Sequence, residues 1–223
     1  MSWESTVPYY RDLNELVKQR LGGLHSAKVI LYSVDFHDVA QLQRTGAWSE
    51  AGELMARAAE SLQAAGAEIV LLATNTMHEV APAIESVLEV PFIHIADPTG
   101  EAIKSAGLSK VGLLGTRFTM EREFYRTRLA ELHGIDVVIP AEEDRAEVHR
   151  VIYEELALGV FSDRSRRAFS AIMRRLVEAG AQGIILGCTE IGLLVGPADS
   201  PVPLFDTGAL HVGAAVEAAL AEG

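Results

Sequence analysis

Cys188 is the only cysteine in the chain and closes the run Ile184-Ile185-Leu186-Gly187-Cys188, while Thr74 closes the similar run Val70-Leu71-Leu72-Ala73-Thr74. A thiol and a hydroxyl therefore each follow a short apolar segment of the kind that forms a buried parallel strand. In open α/β sheets, ligands bind at the carboxyl ends of such strands. Two groups aimed at opposite faces of one small molecule can take a proton from one side of a tetrahedral carbon and return one to the other. The thiol suits this work: its ordinary pKa of about 8.5 falls towards neutrality beside the exposed N–H groups at the start of a helix, which Cys188-Thr189-Glu190 is expected to open. A small buried apolar cysteine is the competing role. Thr74 is a donor or positioner unless a nearby group relays protons through its hydroxyl. His78, His94 and Asp97 are the candidates for that relay, and helix N-capping is the other role of Thr74.

Around these two positions, Asn75, Thr76 and Thr189 add amide and hydroxyl groups that, with their backbone N–H groups, suit an α-carboxylate, although each could equally be a cap. Arg44, next to Gln43, lies in a predicted loop before a helix that opens near Ser49; its guanidinium could pair with a second carboxylate or stand solvated at the surface. Glu190 could cap a helix or orient the site. Other chemistries lack residues. One cysteine cannot supply paired-cysteine zinc ligands, and His78-Glu79-Val80-Ala81-Pro82 fails the HExxH pattern at its last position. No phosphate-loop or dinucleotide glycine pattern is present, and none of Lys18, Lys28, Lys104 and Lys110 stands in a recognisable pyridoxal site. Neither metal nor cofactor is expected.

The elements that must position these residues form an internal repeat. Ala65 to Thr74 lies over Ala179 to Cys188 with an offset of 114 residues, the spacing of Thr74 and Cys188. Tyr9-Tyr10-Arg11 lies over Phe124-Tyr125-Arg126 at 115, and Val90-Pro91-Phe92 over Val202-Pro203-Leu204 at 112. A period this long implies two similar facing domains, because solenoid repeats run about 20–50 residues. Apolar runs at Lys28–Val34, Ile69–Ala73, Val111–Gly115 and Ile184–Gly187 are the expected strands; Ser49–Ala65, Arg122–His133 and Ser165–Ala179 carry helical apolar spacing, with Gly66, Gly134 and Gly180 as stops. The expected domains are 1–96 plus 207–223, and 97–206. The first half has no counterpart of Lys110–Thr116, so an opening strand is missing there and a truncated start is expected.

Composition fits this class. The 223 residues are 49% hydrophobic, enough for a sizeable core. With 19 Lys and Arg against 31 Asp and Glu, the net charge of −12 disfavours nucleic acid and anionic membranes as partners. Met1 to Glu15 does not read as a signal peptide or anchor, and a lone cysteine fits a reducing cytoplasm.

LLATNTMH (Leu71–His78) and ILGCTEI (Ile185–Ile191) resemble the two active-site motifs of the aspartate/glutamate racemase family. The resemblance continues through MSWEST (Met1–Thr6), LGGLHSA (Leu21–Ala27), HIAD (His94–Asp97), LLGTRFTM (Leu113–Met120) and Phe205-Asp206-Thr207, covering essentially the whole chain. It implies two pseudo-symmetric α/β domains, each a short mainly parallel sheet flanked by helices, with the active site in the cleft between them. It also implies pyridoxal-independent racemisation of acidic amino acids, and a homodimer. By motif, Cys188 is one acid/base residue and Thr74 occupies the other position; Asn75, Thr76, Thr116 and Thr189 would hold the α-carboxylate and amino group, while Gln43 and Arg44 lie where the side-chain carboxylate is read. Thr74 stands where the commoner pattern has cysteine, as in a threonine/cysteine subgroup, and unequal partners imply unequal turnover of the two enantiomers. The rival readings are a one-cysteine relative resembling arylmalonate decarboxylases or maleate isomerases, and a ligand-binding protein that has lost racemase activity.

Overall fold

Caps and glycine stops set the helices of the first part of the chain. In the computed structural model, which describes residues 1–221, one unit comprises Met1–Ala73, Met77–His94 and the residues from His211 on, and a second comprises Thr74–Thr76 and Ile95–Leu210. In the first unit, α1 (Trp3–Leu21) begins where the Ser2 side chain accepts the Ser5 N–H, and α2 (Phe36–Thr45) where Asp35 accepts the His37 N–H. α3 (Trp48–Ala64) turns Ala51, Met55 and Ala59 inward at four-residue spacing. Then come β1 (Val70–Leu71), a 3₁₀ turn (Thr76–Val80), α4 (Ala81–Glu85) and β2 (Phe92–Ile93). β1 and β2 pair in parallel, Val70 opposite Phe92 and Leu71 opposite Ile93, over a core of Val39, Met55, Val70, Met77 and Ile84.

The strand expected at Lys28–Val34 does not form. Residues 28–34 pair with neither strand of the unit's sheet, which consists of β1 and β2, and Leu31 is 59% exposed with Val29, Ile30 and Tyr32 also exposed. An apolar run supplies side chains for a strand but not the neighbouring backbone that must satisfy its N–H and C=O groups. Arg44, expected in a loop, lies in the last turn of α2, which runs on to the left-handed stop at Gly46.

The second unit contains α5 (Ala96–Ser105), β3 (Lys110–Gly115), α6 (Arg117–Glu121), α7 (Glu123–His133), β4 (Asp136–Val138), α8 (Glu142–Glu154), α9 (Asp163–Glu178), β5 (Ile184–Gly187), α10 (Ile191–Leu194) and β6 (Leu204–Asp206). The helix α11 (Thr207–Ala221) follows directly from β6. The sheet order is β4-β3-β5-β6, parallel throughout, and β3 and β5 are buried almost end to end, as continuous apolar strands of a parallel sheet must be. Leu113, Leu114, Tyr125, Leu129, Phe169, Ile184 and Ile185 fill the core. Both units are α/β, with parallel strands flanked by helices.

The repeat survives as geometry. β5 and β6 pair with Ile184 opposite Leu204, and these are the residues the internal alignment lays over Val70 and Phe92, the opposed pair of β1 and β2. Gly66 and Gly180, at φ +94° and +97°, take the left-handed conformation just after α3 and α9, where a side chain would be strained. The aromatic correspondence is looser: Tyr125 is fully buried, but the residue aligned with it, Tyr10, is 56% exposed, and α1 buries Tyr9 instead. Among the described residues, no helix is long and apolar enough to cross a membrane.

Candidate active site

Parallel strands deliver their chemistry at their carboxyl ends, and in the second unit β3, β5 and β6 end side by side. β3 and β5 finish as an opposed pair of glycines, Gly115 and Gly187. A Cβ on Gly115 would lie 2.8 Å from the Gly187 carbonyl oxygen, and one on Gly187 would lie 2.8 Å from the Leu114 carbonyl oxygen. Only glycine fits at either place. The residues that follow are Thr116 on one strand and Cys188 on the other.

Thr116 caps α6, its Oγ1 accepting the Thr119 N–H. Its hydroxyl also lies 2.9 Å from that of Thr76 and 3.3 Å from that of Thr119, with Thr76 and Thr119 3.0 Å apart, giving a buried triangle of three hydroxyls. Next to Thr76, the Asn75 amide donates from Nδ2 to Thr207 Oγ1 at 2.9 Å, and Thr207 Oγ1 donates to the Leu186 carbonyl at 2.9 Å. The single Thr207 proton goes to Leu186, so Thr207 must accept from Asn75, which fixes the amide orientation. That leaves Asn75 Oδ1, in a residue only 2% exposed, as a buried acceptor with no hydrogen-bond partner. Orphans of this kind are costly and rare. Residues 74–76 are thereby fastened to the end of the sheet from which Cys188 emerges.

The Cys188 side chain is buried, and Sγ donates to Glu190 Oε2 at 2.9 Å; Thr189 Oγ1 donates to the same oxygen at 3.0 Å. The expected lowering of the thiol pKa is reversed. Burial first, and the neighbouring Glu190 carboxylate second, push the Cys188 thiol well above its ordinary range. The helix that was to lower it, α10, is a single turn that starts three residues later at Ile191, so its dipole is small.

Of the remaining sequence candidates, Gln43 and Arg44 lie in the first unit on adjacent positions of α2, which turns them apart: Gln43 is buried, with Nε2 directed to Met77 Sδ at 3.0 Å, and Arg44 is exposed. Asp97 is not placed as a relay, because Arg128 grips both its oxygens at 2.6 and 2.7 Å. His78 and His94 are buried in the first unit with ring centroids 4.3 Å apart, beside His211. His211 Nε2 donates to the Ile93 carbonyl at 2.7 Å, and its Nδ1 lies 3.0 Å from the Tyr9 hydroxyl. Sequence reasoning missed Thr119 and Thr207; the signals were the cap spacing Thr116-x-x-Thr119 and the position of Thr207 directly after a strand. Among the described residues, no group of three or more His, Cys, Asp or Glu side chains could hold a metal.

Comparison with known proteins agrees with this architecture. Residues 1–215 match the family model described as Asp/Glu/Hydantoin racemase, and the chain belongs to that family. It is 56% identical to a candidate Asp/Glu racemase from Yersinia pestis, with a TM-score of 0.90 over 98% of this chain and 95% of that one. An aspartate racemase homologue from Pyrococcus horikoshii OT3 is 34% identical, with a TM-score of 0.82 over 97% and 94%. A glutamate racemase of Streptococcus pneumoniae is 28% identical over 64% of this chain, a match that spans 54% of that protein's length.

Proposed function

We propose that this protein racemises an acidic amino acid, aspartate or glutamate, by removing the Cα proton on one face and returning a proton on the other, with Cys188 serving one face and Thr74 the other. The observation that carries this reading is the single strand-end arrangement in which Cys188 leaves β5 while the Thr74–Thr76 segment is tied to Leu186 of the same strand through Asn75 and Thr207. The orphaned Asn75 Oδ1 suits the substrate ammonium, a cationic donor. Thr76 and Thr116 would hold the α-carboxylate together with the backbone N–H of Thr189, whose hydroxyl is given to Glu190, and Arg44, the exposed member of the Gln43–Arg44 pair, the side-chain carboxylate. Fixed donors aimed at the charge that develops on that α-carboxylate lower the barrier to losing a proton beside it. The reading uses no pyridoxal phosphate and expects a cytoplasmic homodimer that takes a small amino acid as substrate.

Thiol and alcohol are unequal partners, so the two enantiomers should turn over unequally. Each enantiomer of aspartate and glutamate, incubated with the protein in heavy water and followed by NMR at Cα, should lose its Cα–H signal with inversion. Cys188→Ala should slow that exchange by about 10²–10⁴-fold. Saturable binding without exchange, or full exchange in Cys188→Ala, overturns the reading.

A further inference from the structure

A carboxylate buried inside an α/β unit is expensive, and its position is informative. Glu190 is 5% exposed, and its Oε2 accepts from the thiol two residues back and from the hydroxyl one residue back. The turn that brings them together is fixed by backbone bonds, with the Ile191 N–H donating to the Cys188 carbonyl and the Leu193 N–H to the Glu190 carbonyl. A carboxylate only accepts when ionised, so a thiol that donates to it still carries its proton. The resting pair thus holds one proton between sulfur and oxygen 2.9 Å apart. A second carboxylate at this end of the sheet, Asp206 on β6, uses Oδ1 to accept the Gly208 and Ala209 N–H groups at the start of α11.

We infer that Glu190 is the positioning residue of Cys188, orienting the thiol for donation to Cα and taking its proton when the sulfur must act as a base. This rests on the proposed racemase reading. When Cys188 is the acid, no preparation is needed, since the thiol is already protonated and oriented. When it is the base, the Sγ–H bond breaks and an Oε2–H bond forms on Glu190, with the net charge of the pair held at −1. The thiolate electron pair then takes the Cα proton, re-forming Sγ–H, and the C–H electron pair passes to the carbanion-like substrate. The thiol proton stays on Glu190 during the abstraction; the pair then carries both Sγ–H and Oε2–H, and it returns to −1 by releasing one proton to water before the next turnover. Thr189 acts with Glu190 by pinning the accepting oxygen.

Because Cys188 is the only cysteine, thiolate ultraviolet absorbance against pH, taken as the difference from Cys188→Ala so that the tyrosinates cancel, reports on this residue alone. Glu190→Gln keeps the shape but can neither repel the thiolate nor take the proton. The thiol midpoint should fall by at least about one pH unit, a roughly tenfold gain in thiolate at fixed pH below the midpoint. Exchange of the enantiomer that uses Cys188 as base should be nearly flat across neutral pH in the native protein. In Glu190→Gln it should rise about tenfold per pH unit up to the thiol midpoint, because the proton must then leave to water before the abstraction. Glu190→Asp, which keeps the charge, should retain part of the raised midpoint and of the flat profile, and serves if the glutamine variant does not fold. An unchanged thiol midpoint in Glu190→Gln, or in Glu190→Asp a midpoint at the value of free cysteine, overturns the inference. The titration is read without substrate, so a native protein that exchanges neither amino acid counts against the racemase reading and leaves the Glu190 result to stand or fall separately.

Discussion

The two halves of the chain repeat one another in register and differ in what their sheets enclose. In the second unit, β3 lies between β4 and β5, so its apolar run is covered on both faces and hydrogen-bonded on both edges. In the first unit, the apolar run at 28–34 has no such neighbour and is exposed up to Val34, which alone packs against the core, while β1 and β2 are two residues each. The same kind of sequence yields a core strand in one place and an open segment in the other. What decides between them is the partner backbone, a property of the sheet and not of the run.

The sharpest test of this contrast is a pair of substitutions. Leu113→Ala in β3 should cost about 2–5 kcal/mol in chemical unfolding, because it leaves a cavity in a closed core. Leu31→Ser should change stability by no more than about 0.5 kcal/mol, since that side chain already meets water. Equal losses at the two sites would mean that residues 28–34 are covered after all. A smaller effect is expected at the strand ends. Gly187→Ala would press a methyl group against the Leu114 carbonyl and should cost about 1–3 kcal/mol, with Cα exchange reduced more than stability because Cys188 moves with the strand. A fully active, equally stable alanine variant would show that the close approach of β3 and β5 does not matter to the site.

How much of this could be read beforehand follows from the same physics. Period and glycine stops located α3, α7 and α9 to within two residues, and the repeat placed Val70 with Ile184 and Phe92 with Leu204, because these features depend on neighbours close in the chain. The strand at 28–34 failed because pairing is non-local. Arg44 was misread because the apolar spacing of α2 is short and its stop, Gly46, looks like loop. The chemistry of Cys188 was misjudged for a different reason. Its position after β5 was visible, but the burial of its side chain and the direction of the Glu190 carboxylate depend on side-chain packing that no spacing encodes.

The smallest expected effect concerns His149 on α8, whose Nδ1 accepts the Arg117 N–H beside the Thr116 turn. Burial, and then the Arg117 charge, lower its pKa from the ordinary 6.5. The folded protein therefore binds this proton less readily than the unfolded chain does. The resulting stability is fully present above about pH 6.5 and is lost as pH falls through the lower folded value. An NMR titration of the His149 ring should give a midpoint below 6.5, and His149→Gln should flatten the pH dependence of the unfolding temperature there. A midpoint above 6.5 would reverse the sign and show that the acceptor role of Nδ1 is lost in solution.

Thr207 is both the first residue of α11 and the hydroxyl that joins the Leu186 carbonyl to the Asn75 amide. If the terminal helix slipped by one residue, glycine or aspartate would stand in its place, and neither can give one proton while receiving another in that spot. The seating of the last helix is thus checked at β5, the strand that presents the sulfur, so that a wrongly threaded α11 would lose this junction together with the His211 contacts to Tyr9 and the Ile93 carbonyl.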